Sequence, residues 1–217
     1  YQNIEVVTVP DAYPMGWERV LIRELFKKEY EKFPGEIGII VNNATTAIYL
    51  SEALRDKKPI THRIVTISGE GVKNPENVYV PIGTSVDYII EKIGGYTENV
   101  NEMFVLGGGP MMGKSIANDT FVVTTYSNSI TVLPKVVEEE LPCLRCGLCV
   151  EHCPAKIQPV QIMNLEKQKN TDGVIAACAD RCITCGLCTY ICPSKIEVTD
   201  WVGKAKTRVA NARKAGK

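Results

Sequence analysis

Apolar positions along the chain change their spacing several times, and each change marks an element. Residues 4–9 alternate apolar and polar side chains and are rich in β-branched types, which predicts a strand. After a turn at Pro14 and Gly16, Val20, Leu21, Leu25 and Phe26 recur at helical intervals. They predict a helix over residues 17–33, ended by Pro34-Gly35. Residues 37–41 form a short, wholly apolar run of the kind a buried strand carries. Residues 45–55 gather alanines and leucines on one helical face. Strand, helix, strand, helix in this order suggests an α/β layer.

Residues 63–68 and 77–81 read as short strands around a loop rich in Gly and Asn. Thr84 is placed to cap a helix over 85–93 that Gly94-Gly95 stops. Strand, strand, helix fits a small α+β unit of β-grasp type. A strand at 102–106 runs into Gly107-Gly108-Gly109-Pro110-Met111-Met112-Gly113. That segment has neither the Lys-Ser/Thr of a P-loop nor the spacing of a Rossmann turn, so it reads as a tight loop packing its methionines on the core. Residues 121–125 and 129–133 predict a hairpin across Tyr126-Ser127-Asn128, and 134–142, with Glu138, Glu139 and Glu140, a charged linker. Helical patterns return at 159–169, 174–180 and 201–217, the last basic, with no acidic residue after Asp200.

No apolar run approaches the roughly 18–20 residues that span a bilayer, so no transmembrane segment is expected. The first residues lack the basic start and apolar stretch of a signal peptide. They open inside an expected strand, which suggests a piece of a longer protein.

Charge divides the chain. Residues 1–140 hold 13 Lys and Arg against 19 Asp and Glu, and residues 141–217 hold 12 against 6, so a boundary near 140 is expected. All nine cysteines lie between 143 and 192. Eight of them form two runs, Cys143-x2-Cys146-x2-Cys149-x3-Cys153-Pro154 and Cys182-x2-Cys185-x2-Cys188-x3-Cys192-Pro193. Gaps of two residues are too tight for several unstrained disulfides. A structural zinc takes four ligands, which would leave half of each run over. Three cysteines at this spacing converge on one cubane, while the fourth, expected to start a helix, serves the other cluster. Cys143, Cys146, Cys149 and Cys192 are thus assigned to one [4Fe–4S] cluster, and Cys182, Cys185, Cys188 and Cys153 to the second. Gly147 and Gly186, at matching places, let backbone N–H groups approach the sulfur atoms, or simply form tight turns. Cys178 is read as a spare thiol and His152 as a surface residue. Two neighbouring one-electron centres make a path for electrons.

The chain resembles the C-terminal part of the C subunit of the Rnf electron-transport complex. The resemblance rests on Tyr13-Pro14-Met15-Gly16, on Gly69 with Lys73-Asn74-Pro75, on Gly108-Gly109-Pro110-Met111-Met112-Gly113, and on both cysteine runs. Its first 60 residues are also similar to the flavin subunit of respiratory complex I, through Tyr13–Glu18 and Val41-Asn42-Asn43-Ala44-Thr45-Thr46. In that family a second Glu stands where this chain has Trp17.

These resemblances imply an α+β chain. A partial flavin-type α/β domain (1–61) precedes a β-grasp domain (62–100), a hairpin region with acidic linker (101–140) and a helical two-cluster ferredoxin domain (141–217). They imply one wall of an FMN site at Gly16, Glu18, Asn42, Asn43 and Thr46, although on the residues alone Asn42-Asn43 is also an ordinary turn. FMN itself is expected only in the full-length protein. The implied role is a relay between ferredoxin and a flavin/NAD site in an ion-translocating oxidoreductase. Expected partners are other Rnf-type membrane subunits, ferredoxin and, through an upstream part, NAD(H), with no nucleic acid. The expected place is peripheral, on the cytoplasmic face of the cell membrane. A cobalamin reductase or a proline-reductase electron-transfer subunit shares this layout, and a non-enzymatic docking module is a third reading.

Overall fold

The computed structural model describes residues 3–116, 118–136 and 138–216. Tyr1 and Gln2 of the first expected domain, Val137 of the expected linker and Lys217 at the end of the basic helix lie outside the described residues. Two compact units are present, Tyr1–Pro59 and Ile60–Lys217.

In the first unit, α1 (Glu18–Phe26) buries Ile22 and is shorter than its sequence pattern. Lys27 turns left-handed at φ 52°, and the next residues leave the helix. Their backbone groups are satisfied elsewhere. The Arg19 guanidinium lies 4.1 Å from the centre of the Tyr30 ring and donates to the carbonyls of Tyr30 and Glu31. The Glu36 carboxylate collects the N–H groups of Glu31, Lys32 and Phe33, which holds its pKa below the usual carboxylate range.

The two strands expected in this unit do not form. Ile4 and Val6 are 71% and 90% exposed, and among the described residues no strand pairs with 4–9. At 37–41 a 3-10 turn, Pro34–Ile37, runs into Gly38 at φ 73°, and Ile40 is left 81% exposed. A strand needs a neighbour for its N–H and C=O groups, and apolar composition alone does not supply one. The helix α2 (Ala44–Asp56) forms as its pattern predicts, capped by Asn43, whose side chain accepts from the Thr45 N–H.

The second unit opens with a five-stranded sheet. Its strands are β1 (His62–Ser68), β2 (Glu76–Pro81), β3 (Met103–Gly107), β4 (Lys114–Ser115) and β5 (Ser129–Pro134), in the order β2-β1-β5-β3-β4. β1 pairs antiparallel with β2, with Val65 opposite Val78. β5 lies in the middle, parallel to β1 and antiparallel to β3, which explains its run of buried Ile130, Thr131 and Val132. The helix α3 (Val86–Lys92) lays Val86, Ile89 and Ile90 on the core formed by Val65, Ile67, Ile130 and Val132. Ser85 occupies its N-cap position, while the Thr84 hydroxyl donates to the Pro81 carbonyl.

Three of the five strands thus come from 101–140: β3 and β5 lie where strands were expected at 102–106 and 129–133, and the short β4 was not expected. Residues 121–125 do not pair with β5. Val122 bridges to Ser85, and Val123, fully buried, exchanges backbone bonds of 2.8 Å with Thr84 and Gly83. The start of α3 takes the partners that a hairpin would have used.

The cysteine region repeats itself with a shift of 39 residues, Cys143 to Cys182. The backbone repeats too. Arg145 and Thr184, Gly147 and Gly186, and Lys156 and Lys195 all sit at positive φ. Short helices α4 (Leu148–Glu151) and α7 (Leu187–Tyr190) follow the two glycines and carry the third cysteine of each run. The fourth cysteine lies beyond each helix end, where it was expected to start one. Its N–H is bonded to Val150 O in the first half and to Thr189 O in the second, and a proline follows. α5 (Pro159–Lys167), α6 (Thr171–Ala176) and α8 (Val198–Ala215) complete the domain. On α8, Val198, Val202, Ala205 and Val209 recur at intervals of a helical face and are buried against Ile162, Met163 and Val174. A forked pair, Arg208 Nε and Nη2 to Glu166 at 2.8 and 2.7 Å, ties α8 to α5.

Candidate metal centres

Each cysteine run places its first three sulfurs around one turn, and the fold brings the fourth from the other run. Cys143, Cys146 and Cys149 share a groove with Cys192, between the first loop and α5. Cys182, Cys185 and Cys188 line a second, more enclosed pocket with Cys153, together with Ile157 and Val202. Local bonds account for this exchange. Leu141 N–H donates to Ser194 O, and the Ser194 hydroxyl donates to Pro142 O, each at 2.9 Å. The segment entering Cys143 is thereby clasped to the turn just after Cys192. Among the described residues no three His, Cys, Asp or Glu side chains are placed to hold a single metal ion. Four cysteines line each cavity, the donor set that a [4Fe–4S] cluster takes.

The two centres differ in burial. Cys143 and Cys146 are exposed, whereas Cys185 is buried. Burial pushes the thiols of Cys149, Cys182 and Cys185 up and takes Cys188 to about 11. Cys153 adds to the rise at Cys182, Cys185 and Cys188, so it stands electrostatically within that set. Thiols held protonated in this way must lose protons when they bind metal.

Donors face the sulfurs. Arg145 N–H points to Cys143 Sγ at 3.4 Å and Thr184 N–H to Cys182 Sγ at 3.3 Å, both from residues in left-handed conformation. The Thr199 hydroxyl lies 3.1 Å from Cys188 Sγ, and Lys206 Nζ donates to Cys182 O at 2.6 Å. Neither Thr199 nor Lys206 was legible as a site residue in the sequence; the 39-residue shift is the only signal that could have aligned them with the cysteines.

The glycine-rich loop also belongs here. Gly113 N–H closes it onto Gly109 O at 2.7 Å, and Met111 O stands beside Gly186. The loop is bonded to β5 through Gly108, whose N–H donates to Ser129 O and whose carbonyl accepts from the Thr131 hydroxyl, and its Met111 also meets the second cysteine turn. Cys178 is exposed, with its Sγ near Ala176 O, and lines neither cavity. His152 is an exposed residue at the C-cap of α4, its ring bonded to Leu148 O.

The five flavin-wall candidates lie in the first unit. Gly16 is exposed in the turn before α1, and Glu18 in its first turn is bonded by the Tyr30 hydroxyl. Asn42, Asn43 and Thr46 surround the exposed start of α2, where Asn43 Oδ1 is engaged by Thr45.

Residues 64–115 match the SLBB domain model and residues 142–196 the 4Fe-4S dicluster domain model. The chain is 36% identical over 165 residues to the C subunit of the ion-translocating oxidoreductase complex of Rhodobacter capsulatus, covering 74% of this chain and 31% of that protein. It is 35% identical over 162 residues to the C subunit of the proton-translocating ferredoxin:NAD(+) oxidoreductase complex of Clostridium ljungdahlii, covering 72% and 35%. The C subunit of the ion-translocating complex of Edwardsiella ictaluri is 30% identical over 178 residues, covering 79% and 22%. The chain thus spans about a third or less of the length of these relatives.

Proposed function

Because the chain belongs to the C-subunit family of ion-translocating, Rnf-type oxidoreductase complexes, we propose that it is an electron relay built on two crossed [4Fe–4S] clusters. Cys143, Cys146, Cys149 and Cys192 hold the first cluster; Cys182, Cys185, Cys188 and Cys153 hold the second. Each bound cluster supplies a site that gains and loses one electron with little rearrangement. The chain's own residues set the spacing, exclude water from the second centre and aim N–H and O–H donors at the sulfurs. The observation that carries this reading is the sorting of eight cysteines into two cavities, each lined by three from one run and one from the other.

In the whole protein the relay connects ferredoxin with a flavin/NAD site; ferredoxin and NAD(+) both stand in the name of the Clostridium relative. Gly16, Glu18, Asn42, Asn43 and Thr46 contribute one wall of an FMN site. The subunit sits peripherally on the cytoplasmic face of the membrane beside membrane subunits of the complex. In support, no helix among the described residues is long and apolar enough to cross a membrane. Residues 1–61 serve as a flavin-domain part, 62–100 as a β-grasp domain whose sheet is completed by the strands of 101–140, and 141–217 as the ferredoxin domain. Protein purified without oxygen should contain about eight iron and eight sulfide per chain, from two cubanes of four. Predominant zinc, or half that iron after reconstitution, overturns the reading.

A further inference from the structure

We propose that Thr199, steered by Thr189, is a positioning residue that donates its hydroxyl proton to the Cys188 sulfur and raises the reduction potential of the second cluster. The inference rests on the cluster reading above and deepens it. Thr189 lies in α7 and Thr199 in the first turn of α8. Thr199 N–H donates to Thr189 Oγ1 at 2.9 Å, and the Thr189 hydroxyl donates in turn to Thr199 Oγ1 at 3.1 Å. The oxygen of Thr199 is thus already an acceptor, and its own proton remains to be placed. Cys188 Sγ lies 3.1 Å away. As an iron ligand this sulfur is a thiolate with no proton to give, so the hydroxyl is the donor.

The internal repeat isolates the pair. Shifted by 39 residues, Thr189 corresponds to Val150 and Thr199 to Val160. In the first half it is the backbone N–H of Val160 that acts on Cys149, holding back the rise of its thiol. In the second half the corresponding N–H is drawn to Thr189, and a side-chain hydroxyl replaces it at the sulfur. One centre therefore has a backbone donor that only a proline at that position would delete, while the other has a side-chain donor that a single truncation removes.

Reduction adds one electron to the cluster from an external reductant, with no bond broken and no proton moved. The added negative charge spreads onto the ligand sulfurs, so a donor there stabilises the reduced form more than the oxidised form.

The test is an EPR-monitored redox titration of the full chain, with dithionite as reductant and mediators present, after iron and sulfide confirm two cubanes. Thr199→Val, nearly isosteric, should make reduction of the second cluster about tenfold less favourable, about 59 mV more negative for a one-electron couple. Thr199→Ser should stay near the parent, and the first cluster should not move in either variant. Thr199→Ala is the second variant should valine prevent assembly, with the same expected shift. A second-cluster reduction equilibrium changed less than twofold in variants that hold both clusters overturns the inference and leaves the cluster reading standing. Equal shifts at both clusters also overturn it, and failure of the parent to hold two cubanes overturns both.

Discussion

Gly147 and Gly186 occupy the same place in the two cysteine turns, with φ of 81° and 84°, yet their surroundings differ. A Cβ on Gly147 would meet nothing within 4 Å, while one on Gly186 would stand 2.6 Å from Met111 O. Gly147→Ala therefore carries only the backbone cost of a left-handed alanine, about 1–2 kcal/mol. Gly186→Ala carries the same cost plus displacement of a backbone carbonyl, for which overpacking costs of about 1–3 kcal/mol are the guide. The total for Gly186→Ala is about 2–5 kcal/mol. At about 2–4 °C per kcal/mol for a chain of this size, the two variants should melt several degrees apart, with Gly186→Ala the lower. The assay is anaerobic thermal denaturation at one scan rate, following loss of the cluster absorbance, since cluster loss makes unfolding irreversible. EPR of each variant before heating should find the second cluster more disturbed in Gly186→Ala. Equal melting of the two variants would refute the idea that the Met111 loop is pressed against the second centre.

Three further outcomes follow from the geometry. Cys178→Ser should keep its full iron content and both EPR signals, because that sulfur lines neither cavity; a lost or altered signal counts against the ligand sets. Arg208 holds the buried Glu166 carboxyl below its ordinary value, so this pair stabilises the fold above about pH 4.5 and is lost as pH falls through the lowered value. Glu166→Gln should therefore flatten the acid limb of helix content measured by circular dichroism, and an unchanged limb would contradict the role of the pair. FMN titrated into this chain should bind weakly by flavin fluorescence, since Glu18 and Asn43 already have partners within their own unit; tight one-to-one binding would mean that the wall is a complete pocket.

How much could be read from the sequence depended on how far apart the interacting residues lie. The cysteine turns were legible because their chemistry is set by gaps of two and three residues. The helix over 45–55 and the strands of 63–68 and 77–81 were legible for a similar reason: one face meets one core. Residues 37–41 have the composition of a buried strand, but the N–H groups of Gly38 and Ile39 bond back to Gly35 O and Pro34 O instead of to a neighbouring strand, and Gly38 turns the chain away. The hairpin at 121–133 failed because β5 finds β1 and β3 at long range, while Val123 bonds to Thr84. Met111 and Gly186 meet across a separation that no local pattern encodes. Thr199 and Cys188 meet only because α7 and α8 fold back on one another.

Crossed ligation is the claim on which the relay rests, and one substitution tests it most directly. Cys153→Ser removes a sulfur that follows Cys149 in the chain but lines the cavity of Cys182, Cys185 and Cys188. The variant should be reconstituted without oxygen and its two clusters followed separately by EPR. Loss or conversion confined to the cluster of Cys182, Cys185 and Cys188, with the other signal intact, is the predicted result. Damage confined to the cluster of Cys143, Cys146 and Cys149 would contradict it.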